Sequence, residues 1–114
     1  KKTLLKAYSL LKDRKDFIFP IINFPVPIQQ ALEIKNDKLS YVTPNFSKFR
    51  TQKLRKSFYD AGQFYLGTRY SWLVNKKTFK GIILPKYSSI DIDDNEDWLF
   101  SKSLYKLLKN EKKL

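Results

Sequence analysis

Leu4, Leu5, Tyr8 and Leu11 recur at the spacing of one helix face, while Lys1, Lys2, Lys6 and Lys12 fall mostly on the other. The spacing predicts an amphipathic helix ending near Asp13. The pattern then changes, because residues 16–24 (DFIFPIINF) form a short, mostly apolar run rich in isoleucine and phenylalanine. Such a run predicts a buried strand, with Pro20 marking a strand end or a bulge. Helix followed by buried strand is the grammar of an α/β fold.

Further along, two prolines in residues 24–34 (FPVPIQQALEI) interrupt regular structure before a short amphipathic piece. Asn36 and Asp37 then read as a turn, and the alternation in residues 39–42 as a hairpin arm. Residues 44–56 carry five positive charges and no negative ones, which predicts a loop or an exposed arm. Residues 57–67 (SFYDAGQFYLG) form a second aromatic strand candidate through Phe58, Phe64 and Tyr65, and Gly62 marks a close approach of backbone. A short helix is expected in TRYSWLVNKK, a short apolar strand in GIILPKY, and a long helix over residues 95–110 with Phe100, Leu104 and Leu108 as its stripe. No internal repeat appears, so the order of elements predicts one mixed α/β unit.

Composition narrows the chemistry more than it narrows the fold. Cysteine and histidine are both absent, which excludes disulfides, thiolate nucleophiles, cysteine or histidine zinc sites and any Ser-His-Asp arrangement within these residues. Carboxylate, lysine, arginine, tyrosine and amide remain, a set suited to phosphates and to oxygen-preferring cations such as magnesium. No methionine is present, so the chain is expected to be processed or to be a piece of something longer. The longest nearly apolar run, FIFPIINFPVPI, is too short to span a bilayer and is broken by prolines, so a soluble protein is expected. The net charge of +12 raises nucleic acid as an alternative partner, with the aromatics interleaved among lysines as its second support. The lysines are nevertheless scattered without a compact basic motif, which suits a solvated surface.

Against that basic background, Asp91, Asp93, Asp94, Glu96 and Asp97 crowd into seven residues. Three of them have an architectural reason. Asp94 suits the N-cap of the final helix, Asp97 completes a capping box, and Glu96 in the first turn suits the helix dipole. Asp91 and Asp93 precede the helix in an Ile-Asp-Ile-Asp alternation, so in an extended chain both carboxylates share one face and Ile90 and Ile92 the other. Two like charges side by side repel unless a cation or strong hydrogen bonds neutralise them, and a divalent metal is a common remedy. An EF-hand is ruled out, because its glycine position is Glu96 and its final glutamate position is Lys102.

Two stretches together, YDAGQFYLG (59–67) and LPKYSSIDIDDNEDW (84–98), resemble the C-terminal half of the CMP-nonulosonic acid synthetases, the acylneuraminate cytidylyltransferase family. The look is closest to the branch that acts on pseudaminic acid, and FPIINFPVPIQQAL (19–32) and FRTQ (49–52) fit it as well. The resemblance implies the C-terminal part of a nucleotide-diphospho-sugar transferase fold, a Rossmann-like three-layer α/β/α sandwich. It implies transfer of CMP from CTP to the anomeric hydroxyl of a nonulosonic acid, with pyrophosphate released, Mg2+ required, and a cytoplasmic homodimer. The family's metal-binding and catalytic aspartates fall on Asp91 and Asp93. Arg50, Gln52, Asp60, Gly62, Gln63 and Tyr65 would serve substrate binding, within or beside a dimerisation and sugar-binding segment at about 25–60. The family's N-terminal nucleotide-binding strand and phosphate loop are not found here, so residues 1–114 are expected to be inactive alone. Lys53-Leu54-Arg55 and Phe58-Tyr59 depart from the family pattern near the sugar pocket and leave the particular sugar open.

Overall fold

A computed structural model describes residues 1–44 and 55–111. Its spine is β1 (Asp16–Asn23), and every strand of the main sheet pairs with it. β6 (Thr78–Ile83) runs parallel to β1 with Phe17 opposite Phe79 and Ile21 opposite Ile83. On the other edge run two short antiparallel strands, β4 (Phe58–Asp60) opposite residues 21–23 and β5 (Leu66–Gly67) opposite Phe17 and Ile18. Asp60 and Ile83 both pair with Ile21, which places β4 and β6 on opposite edges of the spine. The second aromatic strand expected from the sequence is therefore one strand cut in two.

The cut has a simple origin in register. From Asp60 to Leu66 the chain takes six steps, while their partners Ile21 and Ile18 are three apart. The surplus leaves the sheet as an excursion over residues 61–65. Pro20 sits opposite this gap, in mid-strand, where the sequence predicts a strand end or a bulge. Its carbonyl accepts from the Ala61 N–H at 3.0 Å, and a strand residue's N–H lies on the same edge as its C=O. The donor that proline lacks would thus point where the partner strand departs, and the ladder loses little.

The buried core lies on one face of the sheet. Ile18, Ile22, Ile82 and Leu84 pack with Ala61 and with Ala7 of α1 (Lys2–Leu10). The small Ala7 side chain sets how closely this helix approaches. Leu10 and Leu11 join the cluster, but Leu4, Leu5 and Tyr8 of the predicted stripe are exposed. α1 ends at Leu10, short of Asp13, because the Asp16 carboxylate accepts the backbone N–H groups of Lys12 and Asp13, each at 2.8 Å. Lys80 of β6 completes the set, donating to the same Asp16 oxygen at 2.6 Å and to the Leu10 carbonyl at 3.1 Å. Together the Lys80 ammonium and the two N–H groups hold Asp16 below the usual carboxylate range, at about 2.

A second, separate sheet is the hairpin of β2 (Leu32–Lys35) and β3 (Lys38–Tyr41). Asn36 and Asp37 join the strands with φ of 50° and 59°, the left-handed pair that a two-residue type I′ turn requires and that these residue types tolerate. A single 3-10 turn, Ile28–Gln30, precedes it where the sequence predicts the amphipathic piece. α2 (Arg69–Leu73) is capped by Thr68, whose hydroxyl oxygen accepts the Ser71 N–H at 3.1 Å. α3 (Asn95–Asn110) has the predicted bounds and the predicted capping box between Asp94 and Asp97. Its inward stripe is Asp97, Ser101, Leu104 and Leu108, with Phe100 exposed. The α/β class expected from the sequence is thus present: a mixed sheet with three helices.

Candidate active site

The excursion at residues 61–65 is where the chemistry gathers. Asp60, the last residue of β4, turns the chain by accepting the Gly62 N–H on one carboxylate oxygen at 2.9 Å. Its other oxygen accepts the Tyr65 hydroxyl at 2.5 Å, closing the excursion on itself. Gly62 has φ +65°, a backbone conformation that costs a residue with a Cβ about 1–2 kcal/mol. Conformation explains this glycine. A Cβ there would only touch Asp91 Oδ2 at 3.8 Å. The close approach expected of Gly62 occurs instead at Gly67, where a Cβ would collide with Ser71 Oγ and crowd Phe17.

Two hydrogen bonds tie the excursion to the segment before α3. Gln63 Nε2 donates to the Ser88 carbonyl at 3.3 Å, and Ser89 Oγ donates to the Ala61 carbonyl at 2.7 Å. Asp60 and Asp91 are thereby brought to the wall of one cavity of about 310 Å³, with Asp97, Lys86, Tyr87 and Asn23 also on its wall. The Tyr65 hydroxyl is held protonated past its ordinary value. Its hydrogen bond to Asp60 is the main cause, followed by partial burial and then by the charges of Asp60 and Asp91. A larger groove of about 450 Å³ lies beside it, between the 87–92 segment and α3. Ile90 and Ile92 line that groove, which has no carboxylate on its wall, and Ile90 also reaches the acidic cavity beside Asp91.

Asp93, paired with Asp91 in the sequence pattern, does not line the acidic cavity; its N–H donates to Asp97 Oδ2 at 3.1 Å, at the start of α3. Arg50 and Gln52, with most of the basic arm, lie outside the described residues. Three further participants carry no signal in the sequence as site residues. Lys86 places a cation on the acidic wall, 4.9 Å from the Tyr87 ring centroid. Tyr87 has φ 64°, uncommon for a bulky side chain and costing on the order of 1–3 kcal/mol. Asp97, which the sequence explains as a helix cap alone, both caps and faces the cavity. No periodicity marks a lysine and a tyrosine in a loop, so only the turn geometry could have revealed them.

No family model matches the chain. Two curated relatives do, both named pseudaminic acid cytidylyltransferase. They come from Campylobacter jejuni subsp. jejuni serotype O:23/36 and serotype O:2. Each is 34% identical over 113 residues, covering 94% of this chain and 49% of the relative. The chain is similar to pseudaminic acid cytidylyltransferases. It spans about half the length of the curated relatives it matches, and the match fits the C-terminal half expected from the motifs. In a chain similar to these cytidylyltransferases, the excursion at 61–65 and the segment at 88–97 are the two motif-bearing stretches, and folding joins them at one cavity.

Proposed function

We propose that this chain forms the metal- and sugar-binding half of a CMP-nonulosonic acid synthetase of the pseudaminic acid type. The whole enzyme would join the anomeric hydroxyl of the sugar to the α-phosphate of CTP and release pyrophosphate, with CTP held by a nucleotide-binding part beyond these residues. The observation that carries the reading is the shared cavity, which brings Asp60 of one family motif and Asp91 of the other to one wall. On that wall Asp60, held by the Tyr65 hydroxyl, would accept hydrogen bonds from sugar hydroxyls, while Lys86 would attract an anionic group of the substrate.

The donor set fits magnesium, which prefers carboxylate oxygens and is commonly held by one or two of them plus substrate phosphates. Asp91 would hold it from the cavity wall, with Asp93 proposed as the second ligand from the family pattern. When bound, the ion would offset negative charge on the triphosphate. A homodimer is part of the proposal, supported by the separate hairpin, whose Leu32, Ile34 and Leu39 are exposed although an isolated hairpin is only marginally stable. A cytoplasmic enzyme is proposed, and among the described residues no helix is long and apolar enough to cross a membrane.

Pyrophosphate release from CTP, with pseudaminic, legionaminic and N-acetylneuraminic acids as a panel, tests the reading on a protein carrying this chain together with its nucleotide-binding part. Asp91→Asn is expected to lower the rate by about a hundredfold, as loss of a charge-stabilising group does. An unchanged rate would remove Asp91 from the site. The chain by itself is expected to release no pyrophosphate.

A further inference from the structure

Beside the acidic cavity lies a cleft of the opposite sign. Its volume is about 290 Å³, and Arg55 and Lys56 stand on its wall with no carboxylate among the described residues that line it. The two spaces adjoin, because Asn23 and Pro25 line both. The Phe24 ring of the basic cleft and the Tyr59 ring of the acidic cavity meet between them, 5.1 Å apart. The sheet holds the cations near this boundary. The Phe24 N–H donates to the Ser57 carbonyl at 3.0 Å, one step beyond the pairing of Asn23 with Phe58, so the backbone next to Lys56 is anchored to the end of β1. Pro25 and Pro27 fix φ at two of three successive residues of the cleft and stiffen its rim. Arg55 is also a position where the sequence departs from the family pattern, so the resemblance gives it no role. Opposite signs in adjoining spaces sort the groups of a ligand. Asp60, Asp91 and Asp97 repel a carboxylate from the acidic wall. Arg55 and Lys56 attract one and can give it charge-assisted hydrogen bonds.

We propose that Arg55 and Lys56 form the subsite for the carboxylate of the acidic sugar, and that the charge contrast between cleft and cavity sets which way round the sugar binds. The anomeric carbon of a nonulosonic acid carries both the carboxylate and the hydroxyl that reacts. Seating the carboxylate in the cleft therefore leaves that hydroxyl at the boundary, on the side of the cavity that Asp91 lines. The identity of the sugar rests on the reaction proposed above, whereas the readout is binding, so the two can fail separately.

Pseudaminic acid is titrated calorimetrically into a protein carrying this chain together with its nucleotide-binding part, with CDP present to fill the nucleotide side without reaction. Arg55→Gln/Lys56→Gln is expected to weaken binding of the sugar by about tenfold, as loss of charge-assisted hydrogen bonds does. The methyl ester of the sugar, which lacks the carboxylate charge, should bind the unmodified protein about tenfold more weakly than the acid does. It should bind the double variant and the unmodified protein within about twofold of each other, because the group that the cations read is already gone. Lys2→Gln/Lys6→Gln removes the same charge from α1 and should change sugar binding by less than about twofold. Circular dichroism confirms that each variant is folded, and Arg55→Lys, which keeps the charge, should retain most of the affinity. No binding of the sugar, an unchanged affinity in the double variant, an equal loss for acid and ester, or a loss that falls on CDP would each overturn the proposal. The expected binding pattern with no pyrophosphate released from CTP would support the subsite and sink the reaction instead.

Discussion

Tyr65 holds its proton because Asp60 offers its carboxylate as an acceptor and because Asp91 adds a second negative charge nearby. Asp60→Asn removes the first and largest of these causes. The ultraviolet tyrosinate signal assigned to Tyr65, by difference from Tyr65→Phe, is expected to move down toward the ordinary 10.0 in that variant. In the unmodified chain the folded value lies above the unfolded one, so stability falls as pH rises above about 10 through the folded value. Asp16 works in the opposite direction. Its value is depressed from 3.8 to about 2, so its contribution is complete above about 4 and is lost as the pH falls toward 2. Denaturant melts across that window should show this slope, and Asp16→Asn should flatten it. At Gly62 the left-handed backbone predicts that alanine costs about 1–2 kcal/mol, measurable in the same melts.

Among the elements, α3 combines a strong local signal with weak tertiary support. Its capping box satisfies N–H groups at both Asp94 and Asp97, Glu96 lies in the first turn and Lys109 in the last, and no side chain along it is fully buried. Asp94→Ala should cost about 1 kcal/mol. Because the helix stands largely by its own local interactions, hydrogen exchange should report the loss as faster opening of its first turn, with little change at β1. The paired strands β4 and β5 show the reverse balance. Neither is long enough to hold without the spine, and their registers are set by β1, so exchange there should follow global unfolding.

For the molecule as a whole, the basic surplus and the acidic cavity are compatible because they occupy different places. Asp60, Asp91 and Asp97 are concentrated at one wall while the cations are dispersed. Among the described residues, the ring-bearing face of the sheet and the hairpin of β2 and β3 both leave apolar side chains uncovered.

Local chemistry sufficed for several elements. The span and capping box of α3, the Asn36-Asp37 hairpin turn and the buried run of β1 follow from side chains within a few residues of one another, where caps, turns and periodicity act. The Asp-Ala-Gly-Gln and Ile-Asp-Ile-Asp motifs were legible too, but not that hydrogen bonds from Gln63 and Ser89 would join them. Register decided the rest. A surplus of three residues against β1 made the excursion that follows Asp60, gave Pro20 a place in mid-strand, and turned one predicted strand into two. The same packing buried Ala7 while leaving Leu4 and Leu5 in solvent. Sequence alone determined which residues could form a helix, a turn or a metal-suited pair, because those are contests between neighbours. Which carboxylates share a cavity was decided only by the sheet, because that depends on how strands from distant parts of the chain align.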